Sequence, residues 1–483
     1  MLDINLFRVE KGGDPERVRE SQRRRYAEVE VVGRVVRLDE QWRRTRFRVD
    51  ALRKELNELS RRIGAGKKCG EDVSMHKERV SVVKAELGGL ERAASEEERE
   101  RDALLRTVGN LVHESVPVSD DEAHNRVERT WGVPALVEER RASVRWSHVD
   151  LLLMLGAADY ERGVRVAGSR GYFLTGVGVQ LNLALVQYSL QFLRERGYQL
   201  VQPPYFMTRE AMARCAQLDD FDEQLYKVVE GASEGNGRPG AATGNGARAA
   251  DDHVAAAAAT GDMADEDKYL IATSEQPLCA YYANEWIAPT ALPILHAGFS
   301  TCFRKEAGSH GRDQLGIFRV HQFDKVEQFA LTAPTADASW QMLERLLATA
   351  EEFYQSLGIP YQVMSIVSGA LNNAAAKKYD LEGWFPASGA WRELVSCSNC
   401  TDFQARRLET RYGLQKSADR DKAYVHMLNS TLCATTRVIC CLVENYQRDG
   451  GVEVPAALQP FLGGTSFLPF VTEPPKHARP AQS

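Results

Sequence analysis

The 483-residue sequence predicts an α+β protein, with an N-terminal antiparallel coiled-coil arm and a larger domain that mixes helices and strands. Three observations carry that prediction. An apolar seam at heptad spacing fills the first third, glycines interrupt it once, and strand-like alternation appears beyond residue 300.

The seam steps by four and three through Val31, Val35, Leu38, Trp42, Thr45, Val49, Leu52, Leu56, Leu59 and Ile63, with no proline inside it. Gly64, Gly66 and Gly70 are expected to break this helix, which leaves about 33 residues and roughly 50 Å of length. A second seam runs through Val80, Val83, Leu87, Leu90 and Ala94. After polar Glu97 and Arg101 it resumes at Leu104, Val108 and Leu111. Two such helices and a short turn make an antiparallel hairpin. A dimerising coiled coil or a spacer would show the same pattern. Gly64-Ala-Gly66-Lys67-Lys68 is not a phosphate loop, because it lacks that spacing and follows a helix instead of a strand.

A chain this long exceeds a single core of roughly 250–300 residues. We expect the arm at 1–112, a connector at 113–150, a catalytic domain at 151–468 and a tail at 469–483. A Gly/Ala/Asp-rich stretch at 231–266 reads as a disordered surface insertion. No run of about 18 apolar residues predicts a membrane span, and MLDINLFRVEKGGD has no signal pattern, so a cytoplasmic address is expected.

The net charge of −6 is unevenly spread. Residues 1–110 carry 26 Lys and Arg against 22 Asp and Glu, and residues 33–68 carry 12 against 5. A phosphate-bearing partner therefore suits the arm better than the remainder. Nine cysteines are too scattered for a disulfide scaffold. Cys397 and Cys400 form the one pair at C-x-x-C spacing; no second pair at ligand spacing accompanies them, so no structural zinc is expected.

Four segments carry candidate chemistry. Phe303-Arg304-Lys305-Glu306 precedes the loop AGSHGRDQLG and then IFRVHQFDKVEQF. In the latter, His321, Phe323, Lys325, Glu327 and Phe329 share one strand face, as Arg304 and Glu306 do on the strand before it. Such a hairpin offers a guanidinium for phosphate, a ring for a base and carboxylates for amines. A solvent-facing hairpin would look alike. Residues 429–447 read as a helix capped by Asn429 or Ser430, with Leu432, Val438, Ile439 and Leu442 in its stripe and Arg437 near its start. Thr273-Ser274-Glu275 follows the strand-like 269–272. Glu393-Leu394-Val395-Ser396 is the fourth segment.

Together these segments resemble the class II aminoacyl-tRNA synthetases. Phe303-Arg304-x-Glu306 with Arg319, Phe323 and Glu327 is similar to their motif 2, the Arg437 segment to motif 3, and residues 179–204 ending in Pro203-Pro204 to motif 1, which builds a dimer interface. The arm, ATSEQPL at 272–278 and GSHGRDQLGIFRVHQF at 308–323 resemble the seryl branch of eukaryotic cytosol. One departure lies in motif 3, where Ala434-Thr-Thr436 stands in place of a Gly-x-Gly-x-acidic pattern before the arginine.

The resemblance implies a catalytic domain on a mixed, mostly antiparallel sheet flanked by helices. It implies an ATP-dependent ligase that activates L-serine and loads it on tRNA(Ser) and also tRNA(Sec). Arg304 and Arg437 would grip the α- and γ-phosphates, with Glu306 completing the catalytic set. Phe323 would stack on adenine, and Glu306 and the Val320 backbone would read its edge. Lys305, Leu394 and Val395 complete the implied ATP set, and Glu393 and Ser396 would hold Mg2+. Thr273, Ser274, Glu275, Arg304, Glu327, Asn429 and Thr431 would form the serine site. The arm would grip the long variable arm of tRNA, and the enzyme would be a homodimer.

Overall fold

The computed structural model describes residues 1–215, 224–229, 267–306, 316–335, 337–415 and 423–474. The predicted insertion at 231–266 lies outside them.

The arm follows from its seam but is longer than the sequence suggests. After α1 (Pro15–Arg24), α2 (Glu30–Cys69) runs for 40 residues, about 60 Å, and α3 (Ser74–Thr107) returns beside it. Gly64 and Gly66 stay inside α2. The helix ends only at Gly70, whose φ of 73° is the left-handed conformation a C-terminal cap needs. A helical glycine costs about 1 kcal/mol against alanine, too little to stop a packed helix. Gly66 also gives the tip its close approach: a Cβ there would meet Val73 Cγ1 at 2.8 Å.

The root of the arm is tied to the body by apolar and ionic contacts. Val31, Val32, Val35, Leu105 and Val108 pack with Leu2, Phe7, Val18 and with Phe403 from the body. Beside them Asp39, 1% exposed, accepts two bonds from Arg8 at 2.8 and 2.7 Å. It also pairs with Arg43 at 3.0 Å and Arg101 at 3.4 Å. The Arg101 guanidinium lies 4.6 Å above the Trp42 ring. That arrangement explains why an arginine occupies a seam position.

Eight strands form the central sheet of the body. In chain order, with the elements between them, they are β1 (Arg126–Trp131), helix α4 (Val177–Arg194), β2 (Gln199–Val201), the short α5 (Glu275–Ala280), β3 (Ile294–Phe303), β4 (Gln322–Thr332), α6 (Ala338–Ser356), β5 (Tyr361–Ser365), β6 (Lys377–Phe385), β7 (Ala390–Asn399), β8 (His426–Ala434) and α7 (Thr435–Asn445). Across the sheet the order is β1-β5-β6-β7-β8-β4-β3-β2. Every pair is antiparallel except β2 with β3. The segment read as a connector thus contains the edge strand β1. Its alternation was hidden because all but one of its residues are solvent-exposed, which leaves no apolar face to read.

Period two decides the two faces of β4. Val326 and Ala330 join the main core with Leu343, Leu346, Leu347 and Phe353 of α6 and Leu181 and Leu185 of α4. Lys325, Glu327, Phe329 and Leu331 face the other way, where Phe329 and Leu331 pack with Ile271 and Leu278. The expected tail is held where it begins. Phe467–Pro469 pairs with Gly451–Glu453, and the Val471 and Thr472 amides donate to the Met154 carbonyl at 2.8 and 3.2 Å.

Removing the Asp39 carboxylate leaves Arg8, at the nearly dry root, with only the 3.3 Å bond to Asn5, whereas Arg101 keeps Asp102 at 2.7 Å. Asp39→Ala is expected to cost about 3–5 kcal/mol of arm docking, read as faster hydrogen exchange in residues 1–11 and 30–39. Exchange indistinguishable from the parent would show that the apolar contacts alone hold the root.

Candidate active site

The site grows from the β3–β4 hairpin and its neighbours. Ten register pairs join β3 to β4, from Phe303 opposite Gln322 to Ile294 opposite Leu331. β3 ends at Phe303, so Arg304 and Glu306 are not strand residues as alternation suggested. The Arg304 amide donates to the His321 carbonyl at 2.9 Å, and Glu306 turns the chain with φ of 51°. Its carboxylate, nearly buried, pairs with Arg319 at 2.8 Å. The Arg304 guanidinium stands 5.4 Å from the Phe323 ring centroid and donates to the Ala272 carbonyl at 3.3 Å.

The motif 3 segment is a strand before it is a helix. Residues 426–434 form β8 between β7 and β4, so Asn429 and Ser430 lie mid-strand and Ala434 caps α7. The reading of 429–434 as helix failed because eight of the nine β8 residues are buried, and a strand buried on both faces has no alternation to distinguish it. Arg437 then falls in the first turn of α7, where the helix N-terminus adds positive potential. It donates to the Glu393 carbonyl at 3.1 Å and carboxylate at 3.2 Å, and its guanidinium lies 5.1 Å from the Phe318 ring. One narrow cleft is lined by Arg304, Glu306, Phe318, Arg319, Val320, Phe323, Thr436 and Arg437.

Next to Arg304, which donates to the Ala272 carbonyl, lies a buried polar cluster. The Thr273 hydroxyl donates to Glu327 at 2.6 Å and accepts from Lys325 at 2.8 Å, and Lys325 pairs with Glu327. Glu327 sits opposite Thr431 in the sheet, and Phe329 opposite Asn429. Gln404 donates to Glu275 at 2.8 Å. Burial, then the neighbouring Glu327 charge, pushes the Glu275 carboxyl up to about 7, against the lowering effect of the Gln404 bond.

A bulge between Leu381 and Glu382 sets the third cluster by pairing Glu382 with Glu393 and Asp380 with Ser396. Burial raises the Glu393 carboxyl, but Arg437, Lys378, Arg304 and Lys325 together outweigh it and hold the group below its ordinary value. Asp380 goes the other way, pushed up to about 7 by burial despite Lys378 at 3.0 Å. Among the described residues no three His, Cys, Asp or Glu side chains gather as a metal cage.

Not every predicted site residue turns its side chain to the cleft. Ser274 is fully buried and donates to the Gly298 carbonyl at 3.4 Å, bracing β3. Leu394, Val395 and Val320 lie in the apolar core, so only their backbones face the site. Lys305 is placed just beyond Arg304 by its amide bond to the Gln224 carbonyl at 3.0 Å. The sequence reading left Phe318, Lys378 and Asp380 without a role. The alternation Lys378, Asp380, Glu382 was the available signal.

An antiparallel sheet carrying these three clusters defines a class II aminoacyl-tRNA synthetase core, and residues 259–446 match the family model for the tRNA synthetase class II core domain (G, H, P, S and T). Residues 1–112 match the seryl-tRNA synthetase N-terminal domain. The chain is 53% identical to a cytoplasmic serine–tRNA ligase of Arabidopsis thaliana over 98% of this chain and 97% of that one. With the cytoplasmic enzyme of Schizosaccharomyces pombe it shares 48% over 99% and 98%. It is similar to the crystal structure of the cytoplasmic serine–tRNA ligase of Naegleria fowleri in complex with AMP, with TM-score 0.80, 45% identity and coverage of 98% and 99%. The ATP complex of the Pyrococcus horikoshii seryl-tRNA synthetase gives TM-score 0.82 at 36% identity, covering 98% and 100%. The chain belongs to the seryl-tRNA synthetase family.

The raised Glu275 carboxyl makes a pH-dependent prediction. Its folded value lies above the unfolded one, so its contribution to stability is lost as pH rises from about 4.5 to about 7. Glu275→Gln should flatten that decline in thermal midpoints measured between about pH 5 and about pH 8. A decline as steep as the parent's would remove Glu275 as its source.

Proposed function

We infer that the chain is an ATP-dependent serine–tRNA ligase of the cytoplasm that makes seryl-adenylate and passes the seryl group to tRNA(Ser). The observation that carries this reading is the meeting of Arg304, Glu306, Val320, Phe323 and Arg437 on one cleft, with the Thr273–Glu327 cluster next to Arg304. In the first step a serine carboxylate oxygen attacks the α-phosphorus and pyrophosphate leaves. In the second a ribose hydroxyl at the tRNA 3′ end attacks the seryl carbonyl and AMP leaves. Neither step needs a protein nucleophile; the work is positioning and charge stabilisation.

On this reading Arg304 holds the α-phosphate and Phe323 stacks on adenine, whose edge meets Glu306 and the Val320 backbone. Arg437 takes the γ-phosphate, for which its pairing with Glu393 is the stand-in when no nucleotide is bound. Leu394 and Val395 act through their backbones and Lys305 through its position next to Arg304. Glu393 and Ser396 offer hard oxygen donors of the kind magnesium takes alongside phosphate. Glu393 fits because the surrounding cations keep it ionised and its side chain is partly exposed in the hollow that adjoins the cleft at Phe318, Arg319 and Arg437. Magnesium supplies charge neutralisation on the triphosphate.

Serine recognition falls to the polar cluster. Glu275 and Glu327 suit an ammonium, and Thr273, Thr431 and Asn429 suit a small hydroxyl, whose absence in alanine or glycine would leave buried groups unpaired. Ser274 supports this cluster from beneath.

The arm is the tRNA-binding part, and recognition by shape extends to tRNA(Sec) as a second substrate. The homodimer would form on α4 and β2. Val179, Leu183 and Leu200 are each more than two-fifths exposed there, and β2 is one of the two edges of the sheet.

Arg304→Ala is expected to lower serine-dependent pyrophosphate exchange by about 10²–10³-fold without unfolding the protein. Parent-like exchange would overturn the motif 2 assignment. Leu183→Glu, at a site 52% exposed, should halve the mass measured by analytical ultracentrifugation; an unchanged mass moves the interface elsewhere.

A further inference from the structure

The two arm helices differ in charge. α2 carries 12 Lys and Arg against 6 Asp and Glu, whereas α3 carries 7 against 8. Where the helices meet, cations are matched: Arg48 with Glu86 at 2.9 Å, Arg53 with Glu91 at 2.6 Å and Arg79 with Glu55 at 2.7 Å. The outer side of α2 is different. Arg37, Arg44, Phe47, Ala51, Lys54, Arg61 and Lys68 follow one another at steps of three, four or seven, and so lie along a single exposed stripe. Among the described residues, Arg37, Lys54, Arg61 and Lys68 have no ion-pair partner. Cations spaced along a rod and left unmatched suit a polyphosphate backbone.

Phe47 breaks the pattern. Its side chain is 76% exposed in the middle of this cationic stripe, in a surface hollow shared with Glu40, Arg43, Arg44 and Arg48. No fold requirement puts a phenylalanine there, since the seam residues Thr45 and Val49 face the other helix. Ala51, one turn further on, is too small to cover the ring. Arg44, 82% exposed, makes only a long contact of 3.7 Å to Glu40. An uncovered aromatic ring flanked by guanidinium groups is the arrangement that holds an unpaired base between neighbouring phosphates.

We propose that Phe47 is a stacking platform for one unpaired base of the tRNA, with the α2 stripe tracking the phosphates on either side and α3 turned away. This rests on the arm being the tRNA-binding part and adds which helix face meets the tRNA and through which side chain. A protein partner seated on Phe47 would want an apolar patch continuing around it; the flanking arginines and Lys54 provide the opposite.

The test compares Phe47→Leu, Phe47→Trp and the double variant Lys54→Glu with Arg61→Glu in the full-length enzyme. Readouts are the Kd for tRNA(Ser) at several salt concentrations and serine-dependent pyrophosphate exchange. Phe47→Leu is expected to weaken tRNA binding by about 5- to 100-fold, with exchange and the salt slope unchanged. Phe47→Trp should restore affinity, and its fluorescence should be quenched as tRNA is added. The charge variant should reduce the salt slope by about two to four. Parent-like affinity in Phe47→Leu, or failure of tryptophan to restore it, overturns the stacking proposal. If the charge variant still loses affinity, the arm reading stands without it; if none of the variants changes tRNA binding, both fall. A change in sedimentation of Phe47→Leu without tRNA would mark Phe47 as a contact between copies and would also overturn the proposal.

Discussion

Gly298 is the position on which the site depends. It stands in β3 directly opposite Glu327, and a Cβ there would meet Ser274 Oγ and Leu278 Cδ1, each at 2.7 Å. Without that side chain the 273–278 segment can lie flat on the sheet, which brings the Thr273 hydroxyl to Glu327. The same strand carries Arg304 just beyond its end, and the β3–β4 register fixes Phe323 beneath it. One close approach therefore sets the distance between the Arg304–Arg437 cleft and the Thr273–Glu327 cluster. It also explains why Ser274 is buried: its hydroxyl fills the space the glycine leaves.

Charge in the site is arranged in exchangeable pairs. Arg437 pairs with Glu393, Arg319 with Glu306, and Lys325 with Glu327. On the proposed roles, phosphates, adenine and serine take one member of each pair and leave the other correctly oriented. Buried charges without partners would be far more costly. The rise of Glu275 and Asp380 to about 7 marks where compensation is incomplete.

Much of this was legible in the sequence, and the failures have physical reasons. The seam from Val31 to Ile63 revealed the arm because its residues share one partner helix, and Phe323 and Glu327 were placed by alternation because polar Lys325 and Glu327 share one face of β4 although the strand is buried from Lys325 onward. β8 was misread because both its faces are covered, and β1 because neither is. Gly64 and Gly66 were overvalued as helix breakers: tertiary packing outweighs roughly 1 kcal/mol of propensity per glycine. Arg304 and Glu306 were identified by type and spacing, but the turn that lifts them off the strand comes from the positive φ at Glu306, which no local pattern announces. Asp380 escaped notice because its importance comes from pairing across the sheet with Ser396.

The dry knot around Asp39 has a mechanical meaning beyond its contribution to stability. α2 is a rigid rod of about 60 Å pivoting at one end, so each degree of play at the root sweeps the tip by about 1 Å. Groups that must meet a folded RNA to within a hydrogen-bond length tolerate only a few degrees of such play. Three arginines converging on one carboxylate, with Trp42 stacked below, act as the bearing of that lever. Angular stiffness at the root would thus set how faithfully a distant part of the tRNA is measured against the catalytic cleft.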